Sequence, residues 1–162
     1  MLSGIEYIDR IVARFEYYLL LMLTLIVTVI LVLQVILRYV FSNPLFWAEE
    51  VSTILLVFIT FLGLSLLVYR RQLIYLDLLE TRLQGPALSL VKWVVDVCLF
   101  VVLLTLVYSS TGWVLDSNTR TEFSSTLNLP RWISYMVIPV SMSAMGWHQF
   151  VHIVRRFSKE KW

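Results

Sequence analysis

The chain has 162 residues, of which 59% are hydrophobic and 15% are charged, and its formal net charge at pH 7 is +2. Soluble domains carry about 25% charged residues, and a chain of this length buries too little surface to hide so many apolar side chains from water. The composition therefore excludes an ordinary soluble domain and predicts a single membrane domain over residues 1–162. The small net charge argues against nucleic acid as a partner.

Four windows of the sequence lack Asp, Glu, Lys and Arg over about the 20 residues that a helix needs to cross a bilayer core. We therefore predict an all-α membrane protein with four transmembrane helices and an external loop at residues 116–129. The expected spans lie at about residues 15–41, 44–70, 90–115 and 130–155.

Basic residues are shared unevenly between the two sides that these spans define. Of the 13 Lys and Arg residues, all but Arg38, Arg120 and Arg131 fall on the side of the two termini and the middle loop. Loops on the cytoplasmic side of a membrane are enriched in Lys and Arg. The pattern therefore predicts that both termini are cytoplasmic and that the 116–129 loop is external.

Two amphipathic segments are candidates for helices that lie in the cytoplasmic interface. Residues 72–84 place leucines at helical spacing with charges off that stripe, and Gly85-Pro86 ends the run. An extension of the second span is the alternative interpretation of this segment. Residues 5–12 show the same kind of pattern near the N-terminus.

A buried polar contact is expected between the third and fourth spans. Asp96 stands inside the third span, where an ionised carboxylate needs a partner. Lys92 lies one turn away, and His152 lies at a similar depth in the fourth span. We expect Lys92, Asp96 and His152 to meet and favour a structural role over a proton relay, because the other half of these helices offers no chain of similar groups.

No residue pattern points to catalysis or to a cofactor. His148 and His152 lie four residues apart, but a zinc-protease helix would need Glu where Gln149 stands. A haem held between two histidines needs them on opposite sides of the ring, which one helix face cannot supply. We interpret the lone Cys98 as a small hydrophobic residue. The sequence thus predicts no enzyme activity, no metal site and no cofactor.

The stretch RYVFSNPLFWAEE, residues 38–50, interrupts the apolar sequence with charges on both sides of an Asn-Pro turn. Arg38 and the pair Glu49 and Glu50 lie about equally far from that turn. Adjacent helical positions point about 100° apart, so only one glutamate faces Arg38. We expect that pair to clip the hairpin, while the other glutamate and Trp47 contact another subunit. The alternative is a hairpin that protrudes into water with both acids solvated.

This stretch and several later ones resemble the Q-type small membrane subunit of tripartite ATP-independent periplasmic (TRAP) transporters. The matching segments lie between residues 38 and 139 in the same order as in that family. Besides the hairpin they are FLG at 61–63, RR at 70–71, IYLDLL at 74–79 and LNLPRW at 127–132.

The resemblance implies a non-catalytic four-helix scaffold in the bacterial inner membrane, within a sodium-coupled transporter for organic acids such as C4-dicarboxylates or sialic acid. It implies as partners a large membrane subunit, which holds the substrate and sodium sites, and a periplasmic substrate-binding protein. With the topology above, partner contacts are expected at Arg38, Asn43, Trp47, Glu49, Glu50, Arg120 and Arg131. Contacts with anionic lipid head groups are expected at Arg70, Arg71, Lys92, Arg155 and Arg156.

Two other classes of membrane protein remain as alternatives. A haem-bearing membrane anchor of a redox enzyme would use the histidines of the fourth span. A small drug exporter would have a membrane-embedded Glu in its first helix, whereas Glu16 precedes the first apolar window. On the family interpretation, the residues that select the organic acid belong to other chains.

Overall fold

The computed structural model describes residues 2–43, 45–72, 86–124, 128 and 130–159, and its regular elements are helices. The helices are α1 (Leu2–Tyr39), α2 (Phe46–Arg70), α3 (Pro86–Leu115), α4 (Ser117–Thr121), α5 (Arg131–Tyr135) and α6 (Val137–Lys159). An isolated bridge joins Phe123 to Pro130. The interfacial helix expected at 72–84 lies outside the described residues, apart from Gln72.

Helix α1 is one continuous helix of 38 residues. At 1.5 Å per residue it is about 57 Å long, which exceeds the roughly 30 Å of a bilayer core. The amphipathic segment at residues 5–12 is therefore not a separate helix but the first part of α1. No proline interrupts the sequence before residue 44, and Gly4 is the one glycine in that stretch, so nothing breaks the helix.

The four long helices alternate in direction. Helix α1 packs on α2, α2 packs on α6, and α6 packs on α3, so α2 and α6 lie in the middle. We call the end that contains Arg70, Arg71, Arg155 and Arg156 the arginine-rich end. The other end, which contains residues 40–43 and 116–124, is called the hairpin end. The N-terminal part of α1 and the first turns of α3 lie at the arginine-rich end.

In the part of the chain that the structure describes, three helical segments are long and apolar enough to cross a membrane: Gly4–Tyr39, Phe46–Arg70 and Leu88–Leu115. The prediction of an all-α membrane protein is thereby confirmed. The expected fourth span at 130–155 is not among these segments, and it is divided into α5 and α6 at Met136. Pro139 consequently lies in the first turn of α6 rather than in mid-helix, a position where its missing N–H costs no hydrogen bond.

The expected external loop is partly ordered by local hydrogen bonds. Asp116 caps the short α4 by accepting a bond from the Asn118 backbone N–H at 3.3 Å. At the other end of the loop, the Arg131 backbone N–H donates to the Glu122 carbonyl oxygen at 3.0 Å. These bonds hold the loop against the start of α5.

The central apolar contact joins α2, α3 and α6 through Val68, Leu103 and Met145, each no more than 5% exposed. Many of the remaining large apolar side chains face outward, as Leu25 does on α1 with 67% of its surface exposed. Such side chains suit a lipid environment, where outward apolar groups lose nothing.

Replacing Leu103 with Ala should destabilise the bundle by about 2 kcal/mol or more, because it opens a cavity where three helices meet. The measurement is the thermal unfolding midpoint of the purified chain in detergent. Leu104→Ala is the matched control, since the Leu104 side chain is 51% exposed. Equal midpoints for the two variants would contradict the packing described here.

Candidate functional site

A fully buried ion cluster lies at the arginine-rich end, centred on His148 of α6. Its Nδ1 lies 2.6 Å from Asp9 Oδ1, and its Nε2 lies 3.3 Å from Glu16 Oε2. Ser65 Oγ of α2 donates to Glu16 Oε1 at 2.8 Å. His148, Asp9 and Ser65 are 0% exposed and Glu16 is 4% exposed. The cluster therefore connects α1, α2 and α6 without access to water.

The geometry determines the charge of the cluster. Both ring nitrogens of His148 face carboxylate oxygens, and each can donate only if it carries a proton. A positively charged imidazolium between two carboxylates satisfies both contacts. Arg155 adds a further positive charge, with Nε 3.0 Å from Glu6 Oε1 and a terminal nitrogen 3.8 Å from Asp9 Oδ2.

Sequence reasoning missed this cluster. Asp9 and Glu16 are seven residues apart, so they share one face of α1, and Ala13 between them is also buried. That spacing was a usable signal, but it required α1 to continue through residues 5–12 as one helix. Without that continuity Glu16 was interpreted only as a residue that precedes the span.

Asp96 of α3 forms a second buried polar contact with α6, through Gln149 and Arg156 instead of His152. Gln149 Nε2 donates to the Asp96 backbone oxygen at 3.0 Å and to its Oδ1 at 3.2 Å. Arg156 lies 2.8 Å from Asp96 Oδ2, and Arg71 lies 3.9 Å from it. Arginine reaches this carboxylate from two helix ends, whereas Lys92 is half-buried one turn away on the same helix as Asp96.

The His152 side chain contacts α2 instead of Asp96. Its Nε2 lies 3.1 Å from the carbonyl oxygens of both Val68 and Tyr69, and it donates to them. These carbonyl groups belong to the last turn of α2, where the helix no longer supplies backbone N–H donors in the regular pattern. Arg71 then donates to the backbone oxygen of His152 at 3.3 Å. The structural role expected for His152 is thus served by capping α2, not by contact with Asp96 and Lys92.

The arginines expected at lipid head groups fall into two kinds. Arg155 and Arg156 pair with carboxylates inside the chain, and Arg71 is half-buried beside Asp96. Arg70 is exposed, and its guanidinium lies 5.8 Å from the centre of the Tyr17 ring.

At the hairpin end the predicted Arg38 clip is replaced by a different contact. Glu49 Oε1 accepts a hydrogen bond from Gln34 Nε2 at 3.2 Å. Arg38 is exposed, and its guanidinium lies 5.7 Å from the centre of the Tyr39 ring. Gln34 lies one turn before Arg38, so the depth estimate was wrong by about one helical turn.

The second glutamate contacts the external loop. Glu50 is half-buried and accepts a hydrogen bond from Ser124 Oγ. Arg131 lies 3.9 Å from Glu122 across the same loop. Glu50, Ser124 and Arg131 also border a largely apolar cleft of about 520 Å³ between α2, α3 and the α5–α6 region, which includes Phe61 and Trp113.

Exposed aromatic side chains surround the turn between α1 and α2. Trp47 is 41% exposed, while Phe46, Tyr39 and Phe41 are 75%, 76% and 66% exposed. Asn43 is exposed as well, and its backbone N–H donates to the Leu37 carbonyl oxygen at 3.0 Å. Arg120 is exposed at the C-terminal end of α4. The residues expected at a partner surface thus share the hairpin end.

Of the two histidines that a haem-bearing membrane anchor would use, His148 is not able to bind iron. His148 uses both ring nitrogens in the buried cluster, so neither is available to iron. Within the described residues no group of three or more His, Cys, Asp and Glu side chains is arranged to hold a metal ion.

Replacing His148 with Leu should destabilise the protein by about 3 kcal/mol or more, because it leaves two buried carboxylates without a positive partner. The triple variant Asp9→Leu/Glu16→Leu/His148→Leu should recover much of that loss, since it removes the buried charges together. Thermal unfolding in detergent measures both variants. A His148→Leu variant as stable as the original protein would contradict the proposed charge arrangement.

Comparison with protein families identifies the architecture. The family model of the DctQ component of tripartite ATP-independent periplasmic transporters matches residues 27–159. The match extends from the later part of α1 to the end of α6 and includes Asp96, His148 and His152, whereas Asp9 and Glu16 lie before it.

Individual relatives are similar over shorter or weaker matches. The ectoine TRAP transporter small permease protein TeaB of Halomonas elongata is 25% identical over 139 residues, which cover 86% of this chain and 72% of that protein. The isethionate TRAP transporter permease protein DctMQ of Oleidesulfovibrio alaskensis is 28% identical over 100 residues, 62% of this chain and 16% of that protein.

A third relative, the sialic acid TRAP transporter permease protein SiaT of Haemophilus influenzae, is 32% identical over 75 residues, 44% of this chain and 12% of that protein. The chain thus spans only a small part of DctMQ and of SiaT.

The family model covers most of the chain, so the resemblance inferred from the hairpin and later segments is confirmed. The chain belongs to the DctQ family, the small membrane subunits of TRAP transporters.

Proposed function

We propose that this subunit is a static brace for the large permease subunit of a sodium-coupled organic-acid transporter in the bacterial inner membrane. The large subunit carries the substrate and sodium sites, and this chain enlarges the scaffold against which it moves. A periplasmic substrate-binding protein delivers the cargo to the assembled complex.

The observation that carries this proposal is the location of the buried charged groups and the identity of their partners. Among the described residues, Asp9, Glu16, Asp96 and His148 are buried and pair with groups of the same chain at one end of the bundle. Charges that conduct or bind a solute must be free to exchange partners with it. Charges that join helices to one another suit a rigid support.

We further propose that α6 is the fourth membrane crossing. Its 23 residues give a length of about 35 Å, enough for a bilayer core. Its polar side chains lower its hydropathy, yet His148, Gln149 and His152 are buried against the other helices and face no lipid. With four crossings, the excess of Lys and Arg at the arginine-rich end supports cytoplasmic termini and a periplasmic hairpin end.

The hairpin end is the proposed surface for protein partners. It combines exposed aromatic rings at the α1–α2 turn with the exposed carboxylate of Glu49 and the basic residues Arg38, Arg120 and Arg131. Aromatic and Arg side chains are enriched in interface centres. The three relatives are named for three different cargoes, which supports selection of the organic acid by other chains.

Cysteine labelling tests the orientation. In a Cys98→Ser background, Asn118→Cys should react with a membrane-impermeant maleimide added to spheroplasts, because α4 lies at the hairpin end. Gly4→Cys, at the start of α1, should react only after the membrane is disrupted. The reverse pattern would overturn the proposed topology, and labelling of both sites from outside would exclude the three crossings proposed between residues 4 and 118, because two sites on the same side are separated by an even number.

Removal of the Trp47 ring should weaken assembly with the large subunit. Trp47→Ala is expected to reduce recovery of the co-expressed large subunit about tenfold, as loss of an interface aromatic typically does. Tyr108→Ala on α3 is the control, since that ring is 83% exposed on another part of the surface. Equal recovery with both variants would remove Trp47 from the interface.

Reconstitution tests the brace itself. Vesicles that contain this chain alone should show no saturable uptake of an organic anion, whereas uptake should appear when the large subunit and the binding protein are added. Sustained uptake by the chain alone would overturn the proposed function.

A further inference from the structure

A small basic cleft lies between α1 and α2 at the arginine-rich end, separate from the buried ion cluster. It has a volume of about 200 Å³, and Arg10, Arg14 and Arg70 line it together with Tyr17 and Tyr69. Arg10, Arg14 and Tyr17 follow the spacing i, i+4, i+7 and therefore share one face of α1. Arg70 reaches the same cleft from the last turn of α2.

The three arginines of this cleft are exposed, and no described carboxylate forms an ion pair with any of them. The acids of α1 are paired elsewhere: Asp9 and Glu16 contact His148 in the buried cluster, and Glu6 pairs with Arg155. Three guanidinium groups that line one small cleft repel one another, and an anion between them relieves that repulsion.

The other arginines at this end provide a contrast. Arg155 and Arg156 also border a larger cleft, of about 510 Å³, but they are already paired with Glu6, Asp9 and Asp96. Their charges are neutralised within the chain. The cleft between α1 and α2 is therefore the stronger candidate for an anionic ligand.

The cleft is held in shape by packing on both sides. The Arg70 guanidinium lies over the Tyr17 ring, 5.8 Å from its centre, which is cation–π geometry. The Tyr69 ring lies 5.1 Å from the His148 ring and so rests on the buried cluster. Both tyrosines that line the cleft are thus held in place by contacts with another side chain.

An apolar track begins where the basic face ends. Leu21 continues the face of Arg10, Arg14 and Tyr17 one turn further along α1, and Leu25 follows it. These two leucines are 50% and 67% exposed. A cationic cleft that leads into an exposed apolar stripe matches a molecule with an anionic head and a hydrocarbon tail.

From this arrangement we propose that the cleft binds the phosphate of an anionic phospholipid in the membrane leaflet at the arginine-rich end, with an acyl chain lying along Leu21 and Leu25. Free phosphate shares the anionic group of the lipid head, but it has no hydrocarbon chain to contact Leu21 and Leu25. The bound lipid would anchor the α1–α2 joint to that leaflet. The inference depends on insertion of the chain in a membrane and not on its partners.

The test uses the full chain purified in a neutral detergent, with native mass spectrometry as the readout. Phosphatidylglycerol, phosphatidylcholine and inorganic phosphate are titrated separately. Phosphatidylglycerol should bind at least tenfold more tightly than phosphatidylcholine, since each surface arginine adds about 1 kcal/mol toward an anionic lipid. Inorganic phosphate should compete poorly.

Matched variants separate the cleft from general charge. Arg10→Gln/Arg14→Gln/Arg70→Gln should weaken phosphatidylglycerol binding about tenfold or more. Arg38→Gln/Arg120→Gln/Arg131→Gln removes the same charge from the hairpin end and should leave that binding within about twofold of the original protein. Equal losses in both triple variants would overturn the proposal, as would equal affinity for the two lipids or full competition by inorganic phosphate.

A measurement on the unaltered chain covers the case in which the cleft variant does not fold. In nanodiscs that contain phosphatidylglycerol, Arg10, Arg14 and Arg70 should be protected from phenylglyoxal at least threefold relative to phosphatidylcholine nanodiscs, while Arg38 and Arg120 react equally in both. Equal reaction of the cleft arginines in the two lipids would overturn the proposal. Neither assay involves the large subunit, so the result is independent of the proposed transport role.

Discussion

Burying charge in a bundle that faces lipid is the constraint from which most of this structure follows. A carboxylate removed from water needs a positive partner at hydrogen-bond distance, and hydrocarbon supplies none. His148 meets this need for Asp9 and Glu16 at once, and Arg156 meets it for Asp96. Because these partners stand on different helices, each pairing also determines which helices touch and at what depth.

The two ends of the bundle consequently differ in character. At the arginine-rich end, ion pairs and the capping of α2 by His152 link all four long helices. At the hairpin end, exposed aromatic rings and a loop held by Glu50 and Arg131 present surface to the outside. A subunit locked at one end and open at the other suits the proposed role as a brace, and under the lipid proposal the arginines of the α1–α2 cleft would extend that anchoring to the membrane.

Two expectations failed for one shared reason, which is that the sequence of a helix does not determine its axial shift and rotation relative to the helices it packs on. Arg38 was expected to meet a glutamate, yet Gln34, one turn earlier, faces Glu49. His152 was expected at Asp96, yet it faces the carbonyls of α2, and Gln149 takes its place. An apolar helix surrounded by lipid carries little amphipathic signal, so its depth and rotation relative to its neighbours are set only when the helices pack.

The sequence by itself determined the membrane class, the long apolar helices, the unequal sharing of basic residues and the family. These properties follow from composition, from the length of apolar runs and from local motifs, all of which are readable along the chain. Only the tertiary structure decided that Asp9, Glu16, Ser65 and His148 form one buried cluster and that Arg10, Arg14 and Arg70 form one cleft. Both arrangements depend on the register between helices far apart in sequence, and that register is decided by side-chain packing and charge pairing across the helices rather than by any pattern within one of them.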